Sequence, residues 1–226
     1  MAEPVYLETS RKWSFAVAVE WPGWCRHAKG EGDPLAELVA VSDRYRDALA
    51  LGGVRFEPPA EVEVVAVLEG NSGTEWGVPS VVPEADHRPL ADAEVERHVA
   101  ILRAAWQAFD NAVEGAQGHE LRSGPRGGVR DLPGLVEHCL EGDQSYLSKL
   151  GAAKPKVGSD DWRDIEAAMR EVAVEAFVDR AAGRAVRVPS RSKQLWPPRW
   201  YVRYVCWHTL VHAWEIEDRR LDEPPA

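Results

Sequence analysis

The sequence lacks the features that mark secreted and membrane proteins. It has only three cysteines, Cys25, Cys139 and Cys206, and no CxxC pair, which is typical of a reducing compartment. No apolar run approaches the roughly 20 residues that a transmembrane helix needs, and the first residues carry no basic-then-apolar signal pattern. We therefore expect a cytoplasmic protein with no membrane partner.

Acidic side chains outnumber basic ones, which bears on the choice of partners. The net charge is −10, and residues 1–90 carry 8 Lys and Arg against 15 Asp and Glu. Residues 91–226 carry 19 basic against 22 acidic side chains, so neither part is a basic module. Because such a chain repels phosphate backbones, we do not expect a nucleic-acid partner.

Residues 1–82 are predicted to form a small α/β domain. The stretch KWSFAVAVEWPGW alternates in polarity and ends at Pro22-Gly23, a pair that favours a turn. EVEVVAVLEG is a second alternating strand, and VRFEP just before it is interpreted as another strand. Residues 34–51 have helical spacing, with Asp33 as the N-terminal cap and Gly52-Gly53 as the end.

This region carries a family resemblance. The stretch FAVAVEWPGWCRHAKGEGDPLAELVAVSDRYRDAL, within about residues 12–70, resembles the HicB-like fold, a small sheet with one helix. The resemblance implies either an antitoxin module or a passenger domain, and the acidic charge favours a passenger or a surface for protein contacts. Trp21 and Trp24, which flank the turn, are predicted to pack between this region and the rest of the chain.

Residues 83–91 are assigned as a linker, and residues 92–222 are predicted to form a four-helix bundle. From Asp92 onward the apolar residues recur at helical spacing, in four segments separated by loops rich in glycine, proline and charge. Either Asp160 or Asp161 could cap the third helix, and the fourth begins near Arg199. The expected fold class is therefore α+β, a sheet-plus-helix domain followed by a bundle.

The last helix contains two histidines four residues apart, in WHTLVHAWEIEDR. This spacing places His208 and His212 on one face, where they could bind one metal ion or form a polar edge on a core helix. His138 on the second bundle helix could supply a third ligand, or be an ordinary residue at the edge of the core. Three histidines would leave one coordination position open, as in catalytic rather than structural zinc sites.

A four-helix bundle with one histidine on its second helix and H-x-x-x-H on its last resembles the DinB-like superfamily. That group includes the metal-binding domain of mycothiol-dependent maleylpyruvate isomerase and the bacillithiol transferases. The resemblance covers about residues 92–220 and includes the ending HAWEIEDR. It implies that His138, His208 and His212 bind a divalent metal, often zinc or nickel. It further implies a transferase, isomerase or hydrolase that acts on a small molecule with a low-molecular-weight thiol or a water.

Side chains near the three histidines are candidates for supporting roles: Glu141, Glu215, Tyr204, Arg126 and Arg130. Glu215 could orient His212 or pair with Arg219, and Glu141 is open to the same two interpretations. The loop GPRGGVR, residues 124–130, could hold an anion at the start of a helix or be an ordinary flexible connection.

The residues leave a second function open. The protein could be a non-catalytic binding or regulatory protein that uses the HicB-like part for protein contacts, with the histidines serving only structure. The sequence does not decide whether the protein is an enzyme or whether it forms a homodimer.

Overall fold

The computed structural model describes residues 2–124, 130–184 and 194–221, which form an α+β structure. This part of the chain contains one four-stranded sheet and seven α-helices. The strands are β1 (Glu3–Thr9), β2 (Trp13–Ala18), β3 (Cys25–Lys29) and β4 (Val62–Glu69). The helices are α1 (Pro34–Ala40), α2 (Ser42–Ala50), α3 (Ser72–Glu75), α4 (Asp92–Gly115), α5 (Leu132–Leu150), α6 (Trp162–Ala181) and α7 (Pro198–Arg219), with a short 3₁₀ helix at Glu84–His87.

The sheet has the order β3-β2-β1-β4, and β1, one of its central strands, is absent from the sequence prediction. β1 pairs antiparallel with β2 and parallel with β4. Its polarity pattern is obscured by Glu8, whose side chain is fully buried and accepts hydrogen bonds from Thr74 Oγ1 and from the backbone N–H groups of Ser80 and Val81. In the sequence alone, a glutamate that is buried and hydrogen-bonded cannot be distinguished from one on the surface. The polarity pattern of β1 therefore does not indicate a strand.

Two predictions for the segment between β3 and β4 are wrong. Residues 54–60, which include VRFEP, have no regular secondary structure, and Phe56 instead packs edge-on against Trp24 and Tyr45. The single helix predicted over residues 34–51 is two helices that meet at Val41. The hydroxyl of Ser42 donates to the carbonyl of Val39 at the junction, a local bond that competes with helical pairing.

The predicted turn at Pro22-Gly23 is confirmed, and it lies directly against α7. Trp24 N–H donates to the carbonyl of Trp21, and Gly23 has φ of +91°, which favours glycine. A Cβ on Gly23 would lie 2.8 Å from Cys206 Cβ, so only glycine fits between the turn and the helix. The N-terminal sheet region therefore helps to fix the position of α7.

One hydrophobic core runs through both parts of the chain. The sequence alone does not decide whether the two parts share a core. A single cluster of buried side chains includes Val5 from the sheet, Leu38 from α1, Ile101 from α4 and Leu210 from α7. A smaller cluster on the opposite face of the sheet joins β1–β3 to Trp207 of α7. Helix α7 is thus covered by apolar contacts from two directions.

Polar contacts also connect the N-terminal sheet region to the long helices. Arg203 of α7 is buried and forms a bidentate ion pair with Asp86, at 2.7 and 2.8 Å, while its Nη2 also donates to the carbonyl of Val19. The guanidinium of Arg97 on α4 lies 4.0 Å from the ring centre of Trp21, which places Trp21 between the sheet region and the helices as predicted.

The four long helices pack against one another: α4 runs beside α7, and α5 contacts both α6 and α7. Asp161 caps α6 by accepting from the N–H of Arg163, which decides between the two predicted caps. Asp131 caps α5 in the same way, accepting from Gly134 N–H. None of the described helices combines the length and the apolar character needed to cross a membrane.

Candidate metal centre

The contact between α5 and α7 brings His138, His208 and His212 together. Each offers one ring nitrogen, and the three nitrogens lie within 4.8 Å of one another. The ring centres are 5.3 Å apart for His138 and His208, 4.9 Å for His138 and His212, and 4.7 Å for His208 and His212. Among the described residues, no other group of three His, Cys, Asp or Glu side chains has this geometry.

Helix α7 holds its two histidines in place because it is buried on nearly all sides. Val205, Cys206 and Leu210 belong to the main core, while Trp207 packs on the second cluster. Only His212, Glu215 and a few neighbours reach the surface of this helix. A helix with so many apolar contacts has a fixed rotation about its axis, and that rotation directs the two imidazoles toward α5.

Glu215 orients His212 and is itself held by Arg219. One carboxylate oxygen of Glu215 lies 2.9 Å from His212 Nδ1, and the other accepts from Arg219 Nη1 at 2.7 Å. These two bonds, that of His212 first, lower the pKa of Glu215 to about 2. Since an ionised carboxylate only accepts hydrogen bonds, His212 Nδ1 carries the proton of this bond, and Nε2 is the ring nitrogen left to face a metal. The sequence offered two interpretations of Glu215, and the structure contains both contacts.

His208 is the most enclosed of the three ligand candidates. Burial lowers its pKa well below the usual value, and the neighbouring His212 and His138 add to this effect. Burial is also the main cause of the lowered pKa of His138, and the charges of His212 and Arg130 lower it further. Both rings are therefore neutral at pH 7, the protonation state in which imidazole binds metals.

Gly142 and Tyr146 complete the wall around His208, and sequence reasoning missed both. A Cβ on Gly142 would lie 3.1 Å from His208 Cε1 and 3.3 Å from Tyr146 Oη, so the α5 backbone passes close to the imidazole. The ring of Tyr146 meets that of His208 edge-on at 5.3 Å. These residues follow His138 at intervals of four, which is the signal that could have found them.

Tyr204 extends this wall into an aromatic cluster. The hydroxyls of Tyr146 and Tyr204 share a hydrogen bond, and burial raises the pKa of both phenols, so each keeps its proton at neutral pH. Trp196 stacks on Tyr146 with ring centres 5.7 Å apart and contacts Tyr204 at 4.9 Å. The side of the site nearest the start of α7 is thus apolar and aromatic.

The other predicted supporting residues differ in exposure and in their contacts. Glu141 is exposed on α5, and its charge opposes the lowering of the His138 pKa. Arg130 is exposed just before α5, and its backbone carbonyl accepts from Arg219 Nη2 at 2.7 Å. Arg126 and most of the loop 124–130 lie outside the described residues, so both interpretations of this loop, anion site or ordinary connection, stay open.

The donor set suits a divalent ion. Zinc–nitrogen bonds of about 2.0–2.1 Å place the ligand nitrogens of a tetrahedral ion roughly 3.4 Å apart, so small side-chain rotations would close the triad. Three imidazoles, one of them bonded through Nδ1 to a carboxylate, match the usual surroundings of zinc-binding histidines. Two cavities elsewhere, of about 250 and 610 Å³, are lined by residues of α4, α5 and α6 and include none of the three histidines.

Comparison of the chain with protein-family models, with curated proteins and with solved structures gives no match in any of the three. The interpretation of the site therefore rests on its geometry.

Proposed function

We propose that the protein binds one divalent metal ion, zinc or nickel, through His138, His208 and His212. The observation that carries this proposal is the convergence of three ring nitrogens within 4.8 Å, from two different helices. Chance pairs of histidines are common on helices, whereas a third imidazole on a neighbouring helix at this distance supports a shared metal site. The absence of a fourth protein ligand among the described residues leaves room for an exogenous group.

We further propose that the site is catalytic, of the DinB-like kind, and serves a transferase, isomerase or hydrolase reaction on a small molecule. When bound, such an ion lowers the pKa of a coordinated water or thiol, which supplies a nucleophile at neutral pH. A low-molecular-weight thiol is the cofactor that the DinB-like interpretation favours. The arrangement of the N-terminal sheet as a HicB-like module belongs to the same proposal.

The chain's own residues have distinct roles in this proposal. Glu215 fixes the tautomer and direction of His212, and Arg219 holds Glu215 in place from the other side. The aromatic rings of Tyr146 and Tyr204 exclude water from the side of the site nearest the start of α7. Arg130 adds positive charge beside His138, where it would attract a carboxylate of the small molecule.

Elemental analysis of tag-free protein tests the metal. We expect one zinc or nickel per chain in the wild type and none in His208→Ala/His212→Ala, with correct folding checked by circular dichroism. The matched control is His87→Ala, an exposed histidine outside the site, which should keep the metal. A metal-free wild type that takes up no zinc or nickel on incubation would refute the proposal.

A second experiment tests the thiol separately. Cobalt(II) replaces zinc in the protein, and glutathione or cysteine is added as the probe while the absorption spectrum is followed. A new thiolate-to-cobalt charge-transfer band would place the thiol on the ion. A cobalt-loaded protein whose spectrum does not change would refute the thiol cofactor and leave the metal site standing.

A further inference from the structure

The outer edge of the sheet carries an apolar strand that the described part of the chain does not cover. β4 is last in the order β3-β2-β1-β4, so only its β1 side is paired. Val64, Val65 and Val67 are 39, 54 and 64% exposed, and Ala66 among them is exposed as well. Monomeric proteins seldom leave such a run at a sheet edge, because unpaired backbone groups beside apolar side chains attract further strands.

The exposed side chains occupy both faces of this edge. Val64 is paired with Val5 of β1 and Ala66 with Tyr6, so these two residues of β4 lie on opposite faces. Val65 falls at a bulge between them and has no partner on β1. A strand added beside β4 would therefore find apolar contacts above and below the sheet, in addition to backbone hydrogen bonds.

The usual protections of an edge strand are weak here. Natural edge strands carry lysine, proline or inward-pointing charges that discourage pairing. Val62–Glu69 contains no lysine and no proline, and its two charges, Glu63 and Glu69, bracket the apolar run rather than interrupt it. The bulge at Val65 loosens the pairing with β1 but does not cover the outer side of β4.

The charge around β4 identifies the kind of segment that fits. Val62–Glu69 carries two glutamates, Glu63 and Glu69, both exposed, and no Lys or Arg. A second copy of this chain, paired through its own β4, would bring a set of glutamates against an identical set, which is unfavourable. A segment with basic residues on either side of an apolar centre would pair with Glu63 and Glu69 instead.

We propose that the outer edge of β4 binds an extended segment of a partner protein by strand addition, and that this segment is apolar in its centre with Lys or Arg at both ends. The backbone groups of β4 supply the hydrogen bonds, and Val64, Val65 and Val67 supply the apolar contacts. Glu63 and Glu69 select the basic ends. This surface is independent of the three histidines and of any metal.

A synthetic peptide tests the proposal directly. The probe has an alternating Val-Thr centre of six residues and two lysines at each end; the comparison peptides have glutamates at the ends, or N-methyl groups on alternate backbone nitrogens. We expect the lysine peptide to bind at least tenfold more tightly than the glutamate peptide, with a difference that shrinks as salt is added. The N-methylated peptide should not bind, because it lacks the donors for strand pairing.

Variants locate the binding surface. Val65→Ser/Val67→Ser should weaken binding of the lysine peptide at least tenfold. The matched control is Val39→Ser/Leu51→Ser, which changes two residues of similar exposure, 49 and 48%, outside the sheet and should bind as the wild type does. Glu63→Gln/Glu69→Gln should remove the preference for lysine over glutamate ends while keeping the apolar contacts.

Sedimentation of the free protein completes the test. We expect a monomer. A wild-type dimer that Val65→Ser/Val67→Ser dissociates, and that Val39→Ser/Leu51→Ser does not, would overturn the proposal in favour of a second copy as the occupant. A monomer that binds none of the peptides at millimolar concentration would overturn it as well.

Discussion

One carboxylate oxygen of Glu215 lies 2.9 Å from Nδ1 of His212, three residues earlier on α7. Its other oxygen accepts from Arg219, whose Nη2 also reaches the carbonyl of Arg130. The imidazole is thus connected through two charged side chains to the segment that precedes α5. This chain of contacts couples the orientation of one candidate ligand to the position of the helix that carries another, His138.

We predict that Glu215→Gln weakens metal binding by about 10- to 100-fold, because an amide holds the His212 tautomer less firmly than a carboxylate does. Competition with a chromophoric chelator measures the affinity. The matched control is Glu217→Gln, two residues further on α7, where the exposed side chain pairs with Arg44 instead. Equal affinities in both variants would show that Glu215 serves only the ion pair with Arg219.

We predict that Gly142→Ala impairs metal binding without unfolding the protein. The new Cβ would lie 3.1 Å from His208 Cε1, so the ring must shift by a few tenths of an ångström away from α5. Alanine gains roughly 1 kcal/mol over glycine in a helix interior, which offsets the local crowding. Chelator competition and urea unfolding should therefore show a lower metal affinity at nearly unchanged stability of the metal-free protein. Unchanged affinity would mean that the ring position at His208 is not critical.

The stability of the protein should fall in acid partly through His98. This ring on α4 is 4% exposed, and burial lowers its pKa from 6.5 to about 4. The unfolded chain takes up a proton at His98 below pH 6.5 while the folded chain resists until pH 4, so stability is lost as the pH falls through that window. The shift corresponds to about 3 kcal/mol at the acid end.

The measurement is urea unfolding of the metal-free protein between pH 4 and pH 7, with His98→Gln beside the wild type. The variant should show a shallower decline in unfolding free energy, and His87→Gln, at an exposed histidine, should follow the wild type. Parallel pH profiles for the wild type and His98→Gln would contradict the assignment.

We predict that Gly23→Ala destabilises the protein far more than Gly30→Ala. Both glycines have positive φ, +91° and +62°, so each substitution carries backbone strain of about 1–2 kcal/mol. A Cβ on Gly23 would also lie 2.8 Å from Cys206 Cβ, whereas one on Gly30 meets nothing within 4 Å. The extra cost at Gly23 should be on the order of 1–3 kcal/mol, as for other overpacked sites. Thermal unfolding of the two variants measures the difference, and equal losses would mean that α7 moves aside without cost.

Much of the local structure follows from the sequence. The caps at Asp33 and Asp161, the turn at Pro22-Gly23 and the helical period from Asp92 onward all depend on residues within one or two turns of each other. The same holds for the separation of His208 and His212 along one helix face, which the helical repeat fixes.

The predictions fail where a polar residue is satisfied by a distant part of the chain. β1 is not predicted because Glu8 is buried with hydrogen-bond partners, Thr74, Ser80 and Val81, that lie more than 60 residues away in the sequence. The buried pair of Arg203 with Asp86 is equally invisible in sequence, since the two residues are separated by 117 positions. The spacing of apolar residues indicates which face of a helix or strand is buried, but it does not show which charged side chains are buried with a partner.

The sequence by itself determined that this is an α+β protein and that one helix presents two imidazoles on one face, because both follow from spacing along the chain. Only the tertiary structure decided that His138 lies close enough to join them, that Gly142 lets α5 approach His208, and that β4 keeps a free edge. Those distances depend on how helices and strands pack, and packing is set by the summed contacts of a core that draws on both parts of the chain.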